Sequence, residues 1–239
     1  MQIIPAIDLI DGKCVRLRMG DYADKTVYGE DPLAMARQFE AAGLRRLHLV
    51  DLDGAKAKRI VNGEVLQAIC THTTLEVDFG GGIADDTELQ RAFDLGARMV
   101  TAGSIAARDP ETVLRWLAQH GPGRIILGAD ARDGLIAVGG WQESTGQDIQ
   151  GFIRPFYDAG MRLVISTDIA KDGMLQGPSF DLYADLLAAF PQLQLIASGG
   201  VTTPQDLAQL QALGLHGAIV GKAYYEGKLT LSDLATYAH

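Results

Sequence analysis

The chain has 239 residues, 47% of them hydrophobic and 21% charged, with a formal net charge of −9 at pH 7. That is ample material for a core, and the acidic balance argues against nucleic acid or an anionic membrane as partner while leaving room for a phosphorylated ligand held by backbone N–H groups. Cys14 and Cys70 stand alone without metal spacing, no stretch is long enough to span a membrane, and the strand-like Met1–Ala6 has no leader character, so a cytoplasmic protein with reduced thiols and no metal is expected.

In chain order, the apolar run Gln2–Ile7 predicts the first strand. The polar connection Arg18–Asp31 is long enough to form a mobile cover beyond it. Asp31 as cap, Pro32 in the first turn and Gly43 as stop frame a helix through Ala42. Strands are predicted at Leu47–Val50, Leu75–Phe79 and Met99–Thr101. A helix opens at Asp85-Asp86-Thr87-Glu88 and closes at Gly96; another has Asp109 as N-cap and Pro110 at its first position. Further strands follow at Arg124–Ala129, Arg162–Ser166, Gln194–Ala197 and Gly217–Val220, with a helix from Thr203-Pro204-Gln205-Asp206 to near Gly214. The strands are continuous apolar runs, as expected for parallel strands covered on both faces. Eight such strands alternating with helices, with no polar linker at mid-chain, predict an α/β fold: a (β/α)8 TIM barrel occupying residues 1–239 as one domain. An open doubly wound sheet would leave the repeat described next unexplained.

The layout occurs twice. Asp8 opens Asp8-Leu9-Ile10-Asp11-Gly12, and Asp130, 122 residues later, opens Asp130-Ala131-Arg132-Asp133-Gly134. Gly81-Gly82 precedes Gly103 by 21 residues counted from Gly82, and Gly199-Gly200 precedes Gly221 by the same 21 counted from Gly200. Two duplicated half-barrels, roughly 1–120 and 121–239, are therefore expected. Chemistry in such a barrel sits at the C-terminal strand ends, where Asp8, Asp51, Asp130, Thr167 and Asp168 are predicted to fall. Asp8 and Asp130, on strands one and five, would face each other across the mouth as an acid/base pair. Asp11 and Asp133, each followed by glycine, read as turn caps. The glycine turns at Gly81-Gly82, Gly103-Ser104, Gly199-Gly200 and Gly221-Lys222 let backbone approach an anion before a helix start, which suggests a phosphate at each side of the mouth.

Other features carry less. Val138-Gly139-Gly140-Trp141 reads as a second cover, with Trp141 stacking on a flat substrate group. His48, within strand two, either reaches the mouth or packs in the core, and the core is the favoured reading. Lys171 lies past strand six, which disfavours a Schiff base. Asp51 and Asp53 are too sparse for a metal and read as contacts to a sugar or to turns. No Ser-His-Asp set, dinucleotide fingerprint or P-loop appears.

Ile4-Pro5-Ala6-Ile7-Asp8-Leu9, Gly12-Lys13-Cys14-Val15-Arg16-Leu17 and Gly20-Asp21-Tyr22 resemble the start of the histidine-biosynthesis isomerase family. The likeness continues in order through His48-Leu49-Val50-Asp51-Leu52-Asp53-Gly54-Ala55, Gly80-Gly81-Gly82-Ile83, Asp130-Ala131-Arg132, Gly140-Trp141, Thr167-Asp168-Ile169, Lys171-Asp172-Gly173 and Ser198-Gly199-Gly200-Val201. The resemblance implies an Amadori rearrangement of a bisphosphorylated aminoaldose to its aminoketose, with no cofactor, no metal and no obligate protein partner. It implies Asp130 as general acid, Asp8 as general base and Thr167 near the reacting sugar. Gly20, Asp51, Trp141, Asp172 and Gly173 would join the glycine turns around the substrate. Ala84 departs from the basic residue common after Gly-Gly-Gly-Ile, and Ala129 from the Leu often found before the acid. Related readings are an isomerase that also accepts phosphoribosylanthranilate and the cyclase subunit of imidazole glycerol phosphate synthase. A non-catalytic binder of phosphorylated metabolites is disfavoured because two buried carboxylates beside phosphates would only weaken binding.

Overall fold

The computed structural model describes residues 1–18 and 21–237. Among them run β1 (Gln2–Ile10), β2 (Lys13–Arg18), β3 (Asp21–Gly29), β4 (Arg46–Asp51), β5 (Glu76–Gly80), β6 (Met99–Ala102), β7 (Ile125–Arg132), β8 (Leu135–Val138), β9 (Glu143–Asp148), β10 (Leu163–Asp168), β11 (Gln194–Ser198) and β12 (Gly217–Val220). β1, β4, β5, β6, β7, β10, β11 and β12 form a parallel ring that closes where Gln2 to Pro5 pair with Gly217 to Val220. With helices between the strands this is the expected (β/α)8 barrel. β1 and β7 lie four strands apart in either direction round the ring.

The helix starts follow the local signals. Asp31 accepts the N–H of Ala34 at 3.0 Å, Asp85 that of Glu88 at 3.0 Å, and Asp109 that of Thr112 at 3.2 Å. Thr203 and Asp206 form a reciprocal capping box. Each such cap contributes about 1 kcal/mol to helix stability.

The first expected cover lies largely in an antiparallel excursion, and the second, Val138–Trp141, is the turn that joins the two strands of another. β1 continues through Asp11-Gly12 into β2 and then β3, while β7 continues through Asp133-Gly134 into β8 and β9. Ile10 pairs with Lys13 and Arg132 with Leu135, so each turn has two residues. Their φ angles are 52° and 73° in the first, 52° and 78° in the second. Positive φ at both central positions is what a type I′ hairpin requires, and Asp-Gly is its sequence signal. Reading Asp11 and Asp133 as turn caps alone missed this, and it set the ends of strands one and five three residues short.

Period two within the barrel strands sorts their apolar runs between two cores. Ile4, Ala6, Met99, Ile126, Leu163, Ile165, Ile196 and Ile219 fill the barrel. The intervening residues, such as Ile3, Ile7, Leu9, Ile125, Leu127 and Ala129, pack outward under the helices. There Phe39, Phe79, Trp116, Phe156, Tyr183 and Phe190 are fully buried, each stabilising by about 1.5–3 kcal/mol on area burial. Continued upward, the inward register of Ile4 and Ala6 arrives at Asp8, and that of Ile126 and Gly128 arrives at Asp130. Alternation alone thus aims both carboxylates into the mouth.

Cys14 is buried and Cys70 half-buried; both are free thiols, pushed up by burial to about 12 and about 11. No described helix is long and apolar enough to cross a membrane.

Candidate active site

A cavity of about 870 Å³ opens over the C-terminal ends of the barrel strands. Asp8, Asp130 and Thr167 line it, as do Gly81, Gly82, Gly103, Ser104, Trp141, Asp172, Gly173, Gly199, Gly200, Gly221 and Lys222. Closure of the ring therefore gathers onto one surface residues drawn from both halves of the chain. Gly20 lies outside the described residues.

Asp8 sits near the top of β1, paired in register with Val15 of β2. The next residue on β2, Arg16, donates from Nη1 to Asp8 at 2.8 Å and from Nη2 to Asp172 at 3.2 and 3.4 Å. The hairpin thus turns a strand-end residue back over its own strand and places a permanent cation against Asp8. Burial pushes the Asp8 carboxyl above the usual range; Arg16 pulls it back, and Asp172 adds to the rise.

Asp130 has different company. Trp141 Nε1–H, carried in by the β8–β9 hairpin, donates to it at 2.8 Å. The hydroxyl of Thr167, its register partner on β10, is its other close donor. Burial raises the Asp130 carboxyl, opposed by these two neutral donors and by the more distant His48. Among the described residues no cation is hydrogen-bonded to Asp130, whereas Asp8 has one in contact.

This difference sets a stability effect. Because the folded protein raises Asp130 above its ordinary value of 3.8, folding favours the neutral acid. Its contribution is fully present below the ordinary value and is lost as pH rises through the folded one. Asp130→Asn keeps an acceptor for Trp141 but carries no charge to bury. The variant is expected to melt at a higher temperature than the parent at pH 8, with the gap closing toward pH ~4. A lower melting temperature at pH 8 would show that the carboxylate is stabilised in ways its neighbours do not account for.

The glycine turns match between halves. Gly81 and Gly82 have φ of +92° and +83°, Gly199 and Gly200 +87° and +80°. A Cβ on Gly82 would stand 2.5 Å from the Arg59 carbonyl oxygen, and one on Gly200 2.3 Å from that of Gly177. The left-handed backbone and the close chain passage each demand glycine, so these turns have a structural reason that any anion binding adds to. Gly103 and Gly221 share nearly the same backbone (φ −96°, ψ −97° and φ −115°, ψ −96°) and each precedes a short helix, Ser104–Arg108 or Lys222–Tyr225. Ser104 Oγ accepts the N–H of Gly139 at 3.0 Å, and Lys222 Nζ donates to the Gly173 carbonyl at 2.8 Å. The first turn is thereby tied to the cover at Gly139, and the second to the loop that follows β10.

Asp51 is placed differently from expectation. It is fully buried and absent from the cavity wall. One oxygen accepts from Gly54 N and Asn62 Nδ2 at 2.8 and 2.6 Å, the other from Val61 N and Asn62 N at 2.7 and 2.8 Å. Four donors fill a carboxylate's capacity, so Asp51 holds the turn after β4 and has nothing left for a substrate. Asp168 occupies the equivalent end of β10 and accepts from Ala170 N at 3.0 Å and from the Ser179 hydroxyl. Asp53 accepts from Asp11 N at 2.7 Å and Asn62 Nδ2 at 3.0 Å. Ala84 lines the cavity without a charge; Lys56, Lys58 and Arg108 are cations of the same lining.

Three residues escaped sequence reasoning. Arg16 meets Asp172 across 156 positions, a separation no local pattern reports. His48 was expected in the core, yet it lines the cavity. Its partner Asp78 lies in Leu75-Glu76-Val77-Asp78-Phe79, where an acid in the buried middle of a barrel strand was itself the unread signal.

A family model described as "Histidine biosynthesis protein" matches residues 2–230. Three relatives are each named 1-(5-phosphoribosyl)-5-((5-phosphoribosylamino)methylideneamino)imidazole-4-carboxamide isomerase. That of Cytophaga hutchinsonii is 56% identical, that of Flavobacterium johnsoniae 53% and that of Parabacteroides distasonis 52%. Each alignment covers 99% of this chain and 99% of the relative.

Proposed function

The chain belongs to the histidine biosynthesis protein family, and from that premise we propose that Asp130 and Asp8 are the general acid and general base of an Amadori rearrangement. The protein is an isomerase acting on the phosphoribosyl aminoaldose named in its relatives, which it converts to the aminoketose. The unequal surroundings of the two facing carboxylates carry the assignment: Arg16 in contact favours an ionised Asp8, whereas burial raises Asp130 and its neutral donors Trp141 and Thr167 offset that rise only in part.

The protonated Asp130 gives its proton to the ribose ring oxygen. The bond from that oxygen to C1 breaks as the amine lone pair forms an iminium. Asp8 then removes the proton from C2, and the freed pair forms the C1–C2 double bond while the iminium pair returns to nitrogen. Asp8 returns its proton to C1 as the 2-hydroxyl loses its proton to the Asp130 carboxylate. The carbonyl at C2 completes the ketose, and both side chains are reset. The iminium is the electron sink, so the sequence of steps draws on no cofactor. Thr167 orients Asp130, and Trp141 closes over the sugar. The turns at Gly81-Gly82 with Gly103-Ser104 and at Gly199-Gly200 with Gly221-Lys222 hold the two phosphates, which positions the sugar between the aspartates. Asp172 and Gly173 complete the wall through Arg16 and Lys222. Free thiols and the biosynthetic relatives support a cytoplasmic location.

Purified protein is expected to convert the aminoaldose ribotide, followed by a coupled cyclase–glutaminase assay, without added metal or cofactor. Phosphoribosylanthranilate run in parallel measures how broadly the site accepts ribosylamines. Folded protein that leaves the aminoaldose unchanged would remove the proposed reaction.

A further inference from the structure

Beneath the two aspartates the barrel interior is mostly aliphatic, yet it holds one charged group of side chains that the steps above leave unused. Asp78 on β5 is fully buried and stands in register beside His48 of β4. One of its oxygens contacts His48 Nδ1 and, at 3.4 Å, the Thr101 hydroxyl of β6. The other accepts from Arg46 Nη2 at 3.2 Å, and Arg46, also buried, donates to Gln2 at 3.1 Å. Of Asp78 and His48, only His48 lines the cavity.

The chemistry of this arrangement is constrained. The adjacent guanidinium keeps Asp78 ionised, and an ionised carboxylate only accepts, so His48 Nδ1 carries a hydrogen. The second ring nitrogen, Nε2, lies on the edge away from Asp78. Burial by itself would favour a neutral imidazole; the carboxylates of Asp78, Asp8 and Asp130 outweigh it, and His48 is raised above its ordinary value of 6.5. Of the remaining charges around it, Arg46 offsets Asp78, and Arg16 lies between Asp8 and Asp172. A proton on His48 therefore balances a carboxylate of the mouth rather than adding an isolated buried charge.

We propose that His48 is a further catalytic group and Asp78 its positioning residue, Asp78 holding the ring so that Nε2–H donates to the substrate 2-hydroxyl oxygen. This rests on the rearrangement proposed above. The hydrogen bond polarises C2–O, which acidifies first the C2 proton and then the hydroxyl as it becomes the carbonyl. His48 keeps its proton throughout, so the proton balance of the cycle is unchanged.

Two readouts test the assignment. In ¹⁵N-histidine-labelled free protein, with His48 identified by its absence in His48→Gln, the ring is expected to titrate above 6.5, and in Asp78→Asn about one pH unit or more lower. With the aminoaldose as substrate, His48→Gln is expected to lower kcat about a hundredfold with KM within about threefold. The alkaline limb of kcat in Asp78→Asn should move to lower pH, which a merely structural lesion would not produce. If Asp78→Asn fails to fold, the titration of the parent and the kinetics of His48→Gln still decide. A parent His48 that titrates at or below 6.5, or a His48→Gln protein with near-parental kcat, overturns the proposal. A parent without turnover would overturn the rearrangement and this role together, whereas an active parent with an indifferent His48 overturns this role alone.

Discussion

Asp8→Asn is expected to lower kcat about a thousandfold or more while KM stays within a few-fold of the parent. Asparagine preserves the shape and can still accept from Arg16, and Arg16 retains Asp172 as an ionic partner. The pocket and its glycine turns are untouched, so the loss is expected to fall on removal of the C2 proton. The pH profile gives an independent check. A base must be ionised, and burial raises Asp8 above the usual carboxylate range. The acid limb of kcat/KM should therefore fall as pH drops through a value above the ordinary 3.8, and Asp8→Asn should lack that limb. With substrate deuterated at C2, the variant should show a full primary isotope effect because proton removal has become the slow step. Near-parental kcat in folded Asp8→Asn would take this residue out of the mechanism.

Asp130→Asn should lose turnover on a similar scale, a factor of about 10²–10⁴, for a different reason. Its amide cannot protonate the ring oxygen, so ring opening becomes limiting before any C2 proton is touched. The primary isotope effect from C2 deuteration should then shrink toward unity, opposite to Asp8→Asn. The alkaline limb that this acid sets in kcat/KM should also be lost, leaving the one that His48 contributes, since an acid fails as pH rises through its pKa and burial sets that value above the ordinary range. Asparagine still accepts from Trp141, so tryptophan fluorescence should report an undisturbed hairpin. A full isotope effect in Asp130→Asn would mean that another group opens the ring, and Asp172, within the same cavity, would be the next residue to replace.

Trp141 shows how the covers and the chemistry are joined. It sits at φ 68° in the β8–β9 connection, a left-handed backbone uncommon for a bulky side chain. The hairpin is held by Gly139 on Ser104 and by Arg108 against Glu143 at 3.4 Å, and its indole reaches Asp130. A ligand on the Gly103-Ser104 turn would thus lie beside the anchor of the side chain that contacts the acid. Across the barrel, Lys222 joins the Gly221 turn to Gly173, next to the Asp172 that Arg16 shares with Asp8.

The eight barrel strands, the helices capped by Asp31, Asp85, Asp109 and Thr203, the duplicated aspartates and the matched glycine turns were all legible in the chain itself. Each depends on short-range physics: apolar runs, a capping side chain three residues from its donor, a turn needing positive φ. The Asp-Gly hairpins were legible by the same rule and were under-read. What the chain could not reveal by itself was which polar residues meet. Asp51 looked like a substrate contact from its strand-end position, but four donors from residues 54–62 occupy it completely. Arg16 looked ordinary until the β1–β2 hairpin and closure of the ring set it between Asp8 and Asp172. His48 and Asp78 are 30 residues apart and become neighbours only because β4 and β5 pair in one register. Local sequence determined the elements and the direction of their side chains. Tertiary closure decided the partners, and for a buried carboxylate the partners determine whether it holds its proton or gives it up.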